Sequence, residues 1–122
     1  MLPAPAHPTH VLGTTRFTSL ATPRRGVAET AVWQVEIAPG TSPTPHSLTR
    51  EEVFVVLAGI ASATLDGVMA EALAGDAIVV PPDVAFSLAN GGDEPLRLLC
   101  CLPVGGQART AEGGTFTPPW AE

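Results

Sequence analysis

The sequence predicts an all-β protein, a single small antiparallel sandwich or barrel, and two observations carry that prediction. The 122 residues include 12 Gly and 13 Pro, and these turn residues interrupt every long apolar stretch, so no window remains for a long helix. Between the turns lie short runs rich in Val, Ile, Leu and Phe. Their spacing of roughly 8–12 residues is typical of antiparallel all-β domains. The length allows one domain and leaves no room for a second core.

Six of these apolar runs are predicted strands. They are residues 31–38, 52–57, 60–65, 77–80, 84–89 and 95–102. The dipeptide Asp66-Gly67 closes the third run and predicts a two-residue hairpin turn, because both central positions of a type I′ turn need positive φ.

The two ends of the chain differ from the middle in composition. Residues 1–25 are rich in Pro and Thr, and we expect an extended arm that packs on the barrel or on a partner subunit, with only residues 11–20 contributing a strand. Residues 26–104 are the predicted barrel. Residues 105–122 form a Gly-, Thr- and Pro-rich tail whose two aromatic side chains, Phe116 and Trp120, predict anchoring on the barrel.

Charge and composition exclude several classes of function. Twelve acidic residues against six basic ones give a net charge of -6, and the basic residues are scattered, so nucleic acid is not an expected partner. All six basic residues are arginine, which excludes Schiff-base chemistry and a phosphate-binding P-loop lysine. No run approaches the roughly 20 apolar residues of a membrane span, so no membrane partner is expected.

The cysteines and the opening residues predict the compartment. Cys100 and Cys101 are adjacent, and their side chains would point to opposite faces of a strand, so a disulfide within the chain is not expected. The first ten residues lack the charged flank and apolar run of a signal peptide. Both observations favour a reducing cytoplasm.

The most specific pattern lies in residues 40–59. This stretch resembles the first motif of the cupin family, which is Gly, five residues, His-x-His, three or four residues, Glu, six residues and Gly. The residues Gly40, His46, Glu52 and Gly59 fall on register.

A second stretch, residues 75–90, is similar to the second cupin motif, which is Gly, five residues, Pro-x-Gly, two residues, His, three residues and Asn. Here Gly75, Pro81 and Asn90 match, while Asp83 replaces the second Gly and tolerates a left-handed backbone better than most residues. The resemblance covers residues 31–103 and implies a cupin-type antiparallel jelly-roll β-barrel.

The departures from the family pattern fall on the residues that the resemblance implies as metal ligands. Leu48 stands in place of the second His of the first motif, and Phe86 in place of the His of the second, so only His46 and Glu52 remain. Because protein zinc and non-haem iron sites normally use three or four side chains, no metal cofactor is expected. A divalent Zn, Fe, Mn or Ni ion would need replacement ligands, for which His7 and His10 of the arm are candidates.

The candidate site is a pocket inside the barrel. Its candidate catalytic residues are His46 and Glu52, a pair for general acid–base chemistry, whereas Glu51 is expected on the outer face. The candidate lining residues are Leu48, Phe54, Val56, Phe86 and Trp33, the last of which is favoured as a core residue over a ligand-stacking one. Burial would raise the pKa of Glu52 and a neighbouring imidazolium would lower it, and the sequence leaves that balance open.

Three functions remain open at this point. The first is a cytoplasmic cupin that binds a small organic molecule, with isomerase- or lyase-like acid–base chemistry at His46 and Glu52. The second is a metal-dependent cupin enzyme, such as a dioxygenase, isomerase or polyketide-cyclase-like protein, with a non-standard ligand set. The third is a binding or sensor module without catalysis. A homodimer is expected in each case, because exposed sheet edges favour a partner.

Overall fold

A computed structural model describes all of residues 1–122 and consists almost entirely of β-strands. The strands are β1 (His10–Leu12), β2 (Thr15–Ala21), β3 (Thr30–Ile37), β4 (Ser47–Leu48), β5 (Glu52–Ala58), β6 (Ile60–Leu65), β7 (Val68–Leu73), β8 (Ala77–Val80), β9 (Phe86–Asn90), β10 (Leu96–Pro103), β11 (Ala108–Thr110) and β12 (Gly114–Phe116). Two short 3-10 helices span Pro23–Arg25 and Pro119–Ala121.

The strands form an antiparallel jelly roll of two layers. One layer is a six-stranded sheet in the order β1-β2-β3-β10-β5-β8. The other contains two three-stranded sheets, β7-β6-β9 and β12-β11-β4, which the isolated bridge between His46 and Phe86 connects. That bridge brings the two predicted motifs side by side, with two backbone hydrogen bonds between these residues.

Alternation along the strands builds the core between the layers. In β3 and β10 every second residue is buried, and in β5 the same alternation runs from Glu52 to Val56. The all-β prediction and the six predicted strands are confirmed, with ends that differ by one or two residues. The hairpin turn is also confirmed, since Asp66 and Gly67 have φ of 49° and 79°.

Four strands, β4, β7, β11 and β12, were not expected, and β7 is the longest of them. Its residues Val68–Leu73 are exposed at five of six positions, so the sequence lacks the alternation that marks a half-buried strand. It forms because the tight turn folds it back onto β6, where all six residues pair in register. Turn geometry, rather than hydrophobic pattern, therefore specifies this strand.

The two ends of the chain pack together on the six-stranded sheet. Residues 10–21, placed by the sequence in an extended arm, form the β1–β2 hairpin, and β2 pairs with β3. The tail returns to the same place: the ring of Trp120 stacks on Phe17 with centroids 3.6 Å apart, and the Ser19 hydroxyl donates a hydrogen bond to the Trp120 carbonyl. These contacts join the first and last parts of the chain.

Two motif positions are explained by backbone geometry. Gly59 has φ of 84°, and a Cβ atom there would lie 2.8 Å from the carbonyl oxygen of Pro95, so a side chain does not fit. Asp83 adopts φ of 64°, the left-handed conformation expected at that position, and its carboxylate pairs with Arg109.

No helix in the chain has the length and apolar character that crossing a bilayer requires.

The outward face of the six-stranded sheet predicts a homodimer. At the edge strand β8, Val79 is exposed and lies opposite Val53, and Ala77 lies opposite Val55, so an apolar surface adjoins an unpaired edge. We expect light scattering at micromolar concentration to give twice the 12.5 kDa of one chain. Val79→Glu should shift the protein to monomer, whereas Val68→Glu, on the other layer, should not. A monomeric wild-type protein would contradict the prediction.

Candidate functional site

A cavity of about 260 Å³ lies between the two layers and is the candidate functional site. Fourteen of its 23 lining residues are hydrophobic. All four Phe and both Trp residues of the chain contribute to its wall, and none of the six arginines does. The volume lies just below the range for small-molecule sites, roughly 300–1,000 Å³.

Most of the predicted site residues meet in this cavity. Those that line it are His46, Glu52, Leu48, Phe54, Phe86 and Trp33. Val56 does not: it shares the inward face of β5 with Glu52, but its side chain packs in the core beyond the cavity. Trp33 is both a buried core residue and part of the cavity wall, so the two interpretations of it are compatible.

Glu52 is the first residue of β5, and the strand alternation directs it inward together with Phe54. Glu52 is only 4% exposed, and its carboxyl group forms no hydrogen bond or ion pair with the protein. Burial raises the pKa of Glu52 from 4.5 to about 8, because the apolar surroundings disfavour the charged form. At neutral pH the group is therefore mostly a carboxylic acid.

His46 lies at the rim of the same cavity, next to β4. Its Nδ1 donates a hydrogen bond of 2.8 Å to the carbonyl oxygen of Thr44, and its ring packs on Phe86 with centroids 4.2 Å apart. These contacts fix the ring orientation and leave Nε2 as the ring nitrogen available to a ligand.

The two candidate catalytic groups share the cavity without touching each other. No hydrogen bond or ion pair joins His46 and Glu52. The balance that the sequence left open is therefore decided by burial, which is the sole cause of the raised pKa of Glu52. Proton transfer between the two groups would therefore need a ligand or a water molecule between them.

Cys100 is a cavity residue that sequence reasoning did not assign to the site. It is fully buried on β10 opposite both Trp33 and Phe54, while Cys101 faces outward, and both thiols are free. Burial and the nearby Glu52 carboxyl raise the pKa of the Cys100 thiol well above its usual range. The thiol therefore stays protonated and contributes apolar wall rather than a nucleophile.

The remaining unassigned cavity residues come from distant parts of the chain. The aromatic ones are Phe17, Phe116 and Trp120, and the hydroxyl-bearing ones are Thr15, Thr41, Ser42, Thr44 and Thr110. No sequence pattern links these positions, because they come from segments far apart in the chain.

The side chains present do not fit the divalent metal that the fold implies. No group of three or more His, Cys, Asp or Glu side chains is placed to hold an ion. His7 is exposed and lies outside the cavity, and His10 packs near Trp120 instead of reaching Glu52. One imidazole and one carboxyl are too few for a zinc or iron centre of the usual kind.

Asn90 of the second motif has a structural role. Its amide nitrogen donates to the carbonyl oxygens of Ile37 and Glu94, and its side-chain oxygen accepts from the Gly92 amide. These bonds hold the turn after β9 against β3. Asn90 therefore supports the barrel and does not line the cavity.

Comparison with known proteins identifies relatives of this fold. A family profile described as "Cupin domain" matches residues 33–102. The polyketide cyclase RemF of Streptomyces resistomycificus superimposes with a TM-score of 0.67 at 23% identity, over 84% of this chain and 73% of that one. The salicylate 1,2-dioxygenase of Pseudoaminobacter salicylatoxidans superimposes with a TM-score of 0.71 at 18% identity, over 86% of this chain and 31% of that one. At these identities the likeness concerns the fold.

A curated relative matches part of the chain. An uncharacterized protein of Methanocaldococcus jannaschii is 40% identical over 53 residues, which are 43% of this chain and 42% of that protein. The matched region thus spans less than half of the length of that relative.

Proposed function

Since this chain belongs to the cupin family, we propose that it binds a small organic molecule in the cavity between its two sheets and exchanges protons with it through Glu52 and His46. The observation that carries the proposal is the carboxyl group of Glu52, which is buried in an apolar cavity without a protein partner. An unpartnered buried carboxyl destabilises a fold, and such groups are frequent where a ligand supplies the missing interaction.

The raised pKa of Glu52, about 8, suits acid–base chemistry near neutral pH. Glu52 can give its proton to a ligand oxygen or nitrogen. Nε2 of His46 can then accept a proton from a neighbouring atom of the same ligand, and the reverse transfers restore both groups. Because the two side chains do not touch, the ligand separates the acid from the base.

Binding without catalysis is the second candidate, and the wall of the cavity favours it. The aromatic rings that line the cavity supply contact area that needs no chemistry, among them Phe54 and Phe86, which pack on each other with centroids 5.8 Å apart. A metal-dependent reaction with a non-standard ligand set has less support, because only His46 and Glu52 offer donor atoms of the expected kind.

Acetophenone tests the proposal, because it is small, aromatic and neutral and has exchangeable hydrogens beside its carbonyl. We expect it to change the fluorescence of Trp33 and Trp120, and we expect the wild-type protein to speed exchange of its methyl hydrogens in D₂O, followed by NMR. Glu52→Gln should lower that exchange rate by a factor on the order of 10²–10⁴ while binding changes little. Glu51→Gln is the matched control, since Glu51 is exposed.

Each outcome separates the candidates. Binding without accelerated exchange would replace the acid–base proposal by the non-catalytic one. Exchange that survives Glu52→Gln would remove Glu52 from the mechanism. A protein that binds no small aromatic compound, whether neutral or charged, would contradict a small-molecule site in this cavity.

A further inference from the structure

The cavity has an unusual charge pattern. It holds one buried carboxyl group, Glu52, and none of the chain's arginines lines its wall. The chain contains no lysine, and its net charge is -6. No arginine or lysine therefore lies in the cavity to pair with an ionised Glu52, and His46, the basic side chain in the wall, forms no ion pair with it.

Six of the 23 residues that line the cavity are Phe or Trp, and two of these rings, Phe17 and Trp120, stack on each other. All six Phe and Trp side chains border the cavity, with Trp33 and Phe54 on the same sheet as Glu52 and Phe86 across from them. The faces of such rings carry partial negative charge and attract cations, and Trp does so most strongly. The rings and the carboxyl thus favour the same sign of ligand charge.

This inference rests on the proposed ligand site. We propose that the molecule bound in this cavity is an organic cation, namely an amine with a small apolar or aromatic body. Its ammonium group pairs with Glu52. An anion would find no arginine or lysine in the cavity and would be repelled by the acidic protein. A neutral molecule could share a hydrogen bond with the protonated carboxyl group but would add no charge–charge attraction to it. A cation supplies the interaction that the fold lacks, and its apolar body packs against the aromatic side chains that line the cavity.

Pairing has a consequence for protons. At pH 7 Glu52 is mostly protonated, and an ammonium group stabilises its ionised form, so binding should release close to one proton to the solvent. A neutral ligand should release none. This linkage distinguishes the proposed ion pair from apolar binding alone.

Three probes of similar size test the proposal: benzylamine, benzyl alcohol and benzoate, which are cationic, neutral and anionic at pH 7. In isothermal titration calorimetry we expect benzylamine to bind at least about 10-fold more tightly than benzyl alcohol, and benzoate to bind most weakly. The heat of binding benzylamine should differ between phosphate and Tris buffers. The difference should be nearly the difference between the ionisation enthalpies of the two buffers, because nearly one proton is released to the buffer for each molecule bound.

Variants locate the effect. Glu52→Gln should abolish both the preference for the amine and the proton release while keeping the binding of benzyl alcohol. The exposed neighbour provides the control, since Glu51→Gln should change neither. Ala108→Leu adds bulk to the cavity wall and should weaken all binding there.

The possible failures are distinct. If benzyl alcohol or benzoate binds as tightly as benzylamine, the inference about charge is wrong and the proposed small-molecule site stands. If none of the probes binds, or if Ala108→Leu leaves binding unchanged, the cavity is not the ligand site, and the proposed function fails together with the inference.

Discussion

Replacing Glu52 by Gln should make the protein more stable at pH 8 and leave its stability at pH 4.5 nearly unchanged. In the wild-type protein the pKa of Glu52 is raised from 4.5 to about 8 by burial. Between these values the unfolded chain has lost the proton and the folded chain keeps it, so the free energy of unfolding falls as the pH rises, by about 1.4 kcal/mol per unit. Below pH 4.5 Glu52 is protonated in both the folded and the unfolded chain, and above pH 8 it is ionised in both. The loss of stability is therefore complete above pH 8.

Glutamine mimics the protonated carboxyl in size and polarity and does not titrate. The difference in unfolding free energy between Glu52→Gln and wild type should therefore grow through this window to several kcal/mol at pH 8. Urea unfolding at pH 4.5, 6 and 8, at one protein concentration, measures it. Glu51→Gln should show no such growth, because Glu51 is exposed. Parallel pH profiles for wild type and Glu52→Gln would mean that the carboxyl is solvated or paired in solution.

The sequence predicted the parts of the fold that depend on local pattern. Alternation in β5 places Glu52 and Phe54 on one face, and motif spacing places His46 beside Phe86 across the bridge between β4 and β9. The second relationship joins positions 40 residues apart and is implied only by the resemblance to the two cupin motifs. The first spans three residues of one strand and can be read without tertiary structure. The turn at Asp66-Gly67 belongs to the same class.

The parts that the sequence did not predict depend on contacts between distant segments. The stacking of Trp120 on Phe17 joins residues more than a hundred positions apart, and no periodicity links them. The isolation of Glu52 is also a tertiary property, because it requires that no donor from any strand reaches the carboxyl. Val56 points inward like its neighbours but lies beyond the cavity. Strand alternation predicts which face of the sheet a side chain lies on, but not how far along the strand the cavity extends.

Leu48→His combined with Phe86→His should create a metal site in a protein that otherwise binds little metal. Purified without added metal, the wild-type protein should contain well under one equivalent of zinc, iron, manganese or nickel. Both replaced side chains line the cavity with His46 and Glu52, and each residue is only 2% exposed. Three imidazoles and one carboxylate complete a four-ligand set, so we expect Co²⁺ or Zn²⁺ to bind at least about 100-fold more tightly than to wild type.

The double variant should be less stable than wild type without metal, because two buried apolar side chains are exchanged for polar ones, at roughly 2–5 kcal/mol each. Adding Co²⁺ should restore much of that loss and raise the melting temperature, since the ion binds the folded state alone. The d–d absorption of Co²⁺ reports the coordination directly. Leu48→Gln combined with Phe86→Gln is the control for polarity, and adding Glu52→Gln to the double variant should weaken binding by removing one ligand. If the double variant folds and gains no affinity, the four positions do not converge on one point, and the cavity has lost the geometry of a metal site as well as its ligands.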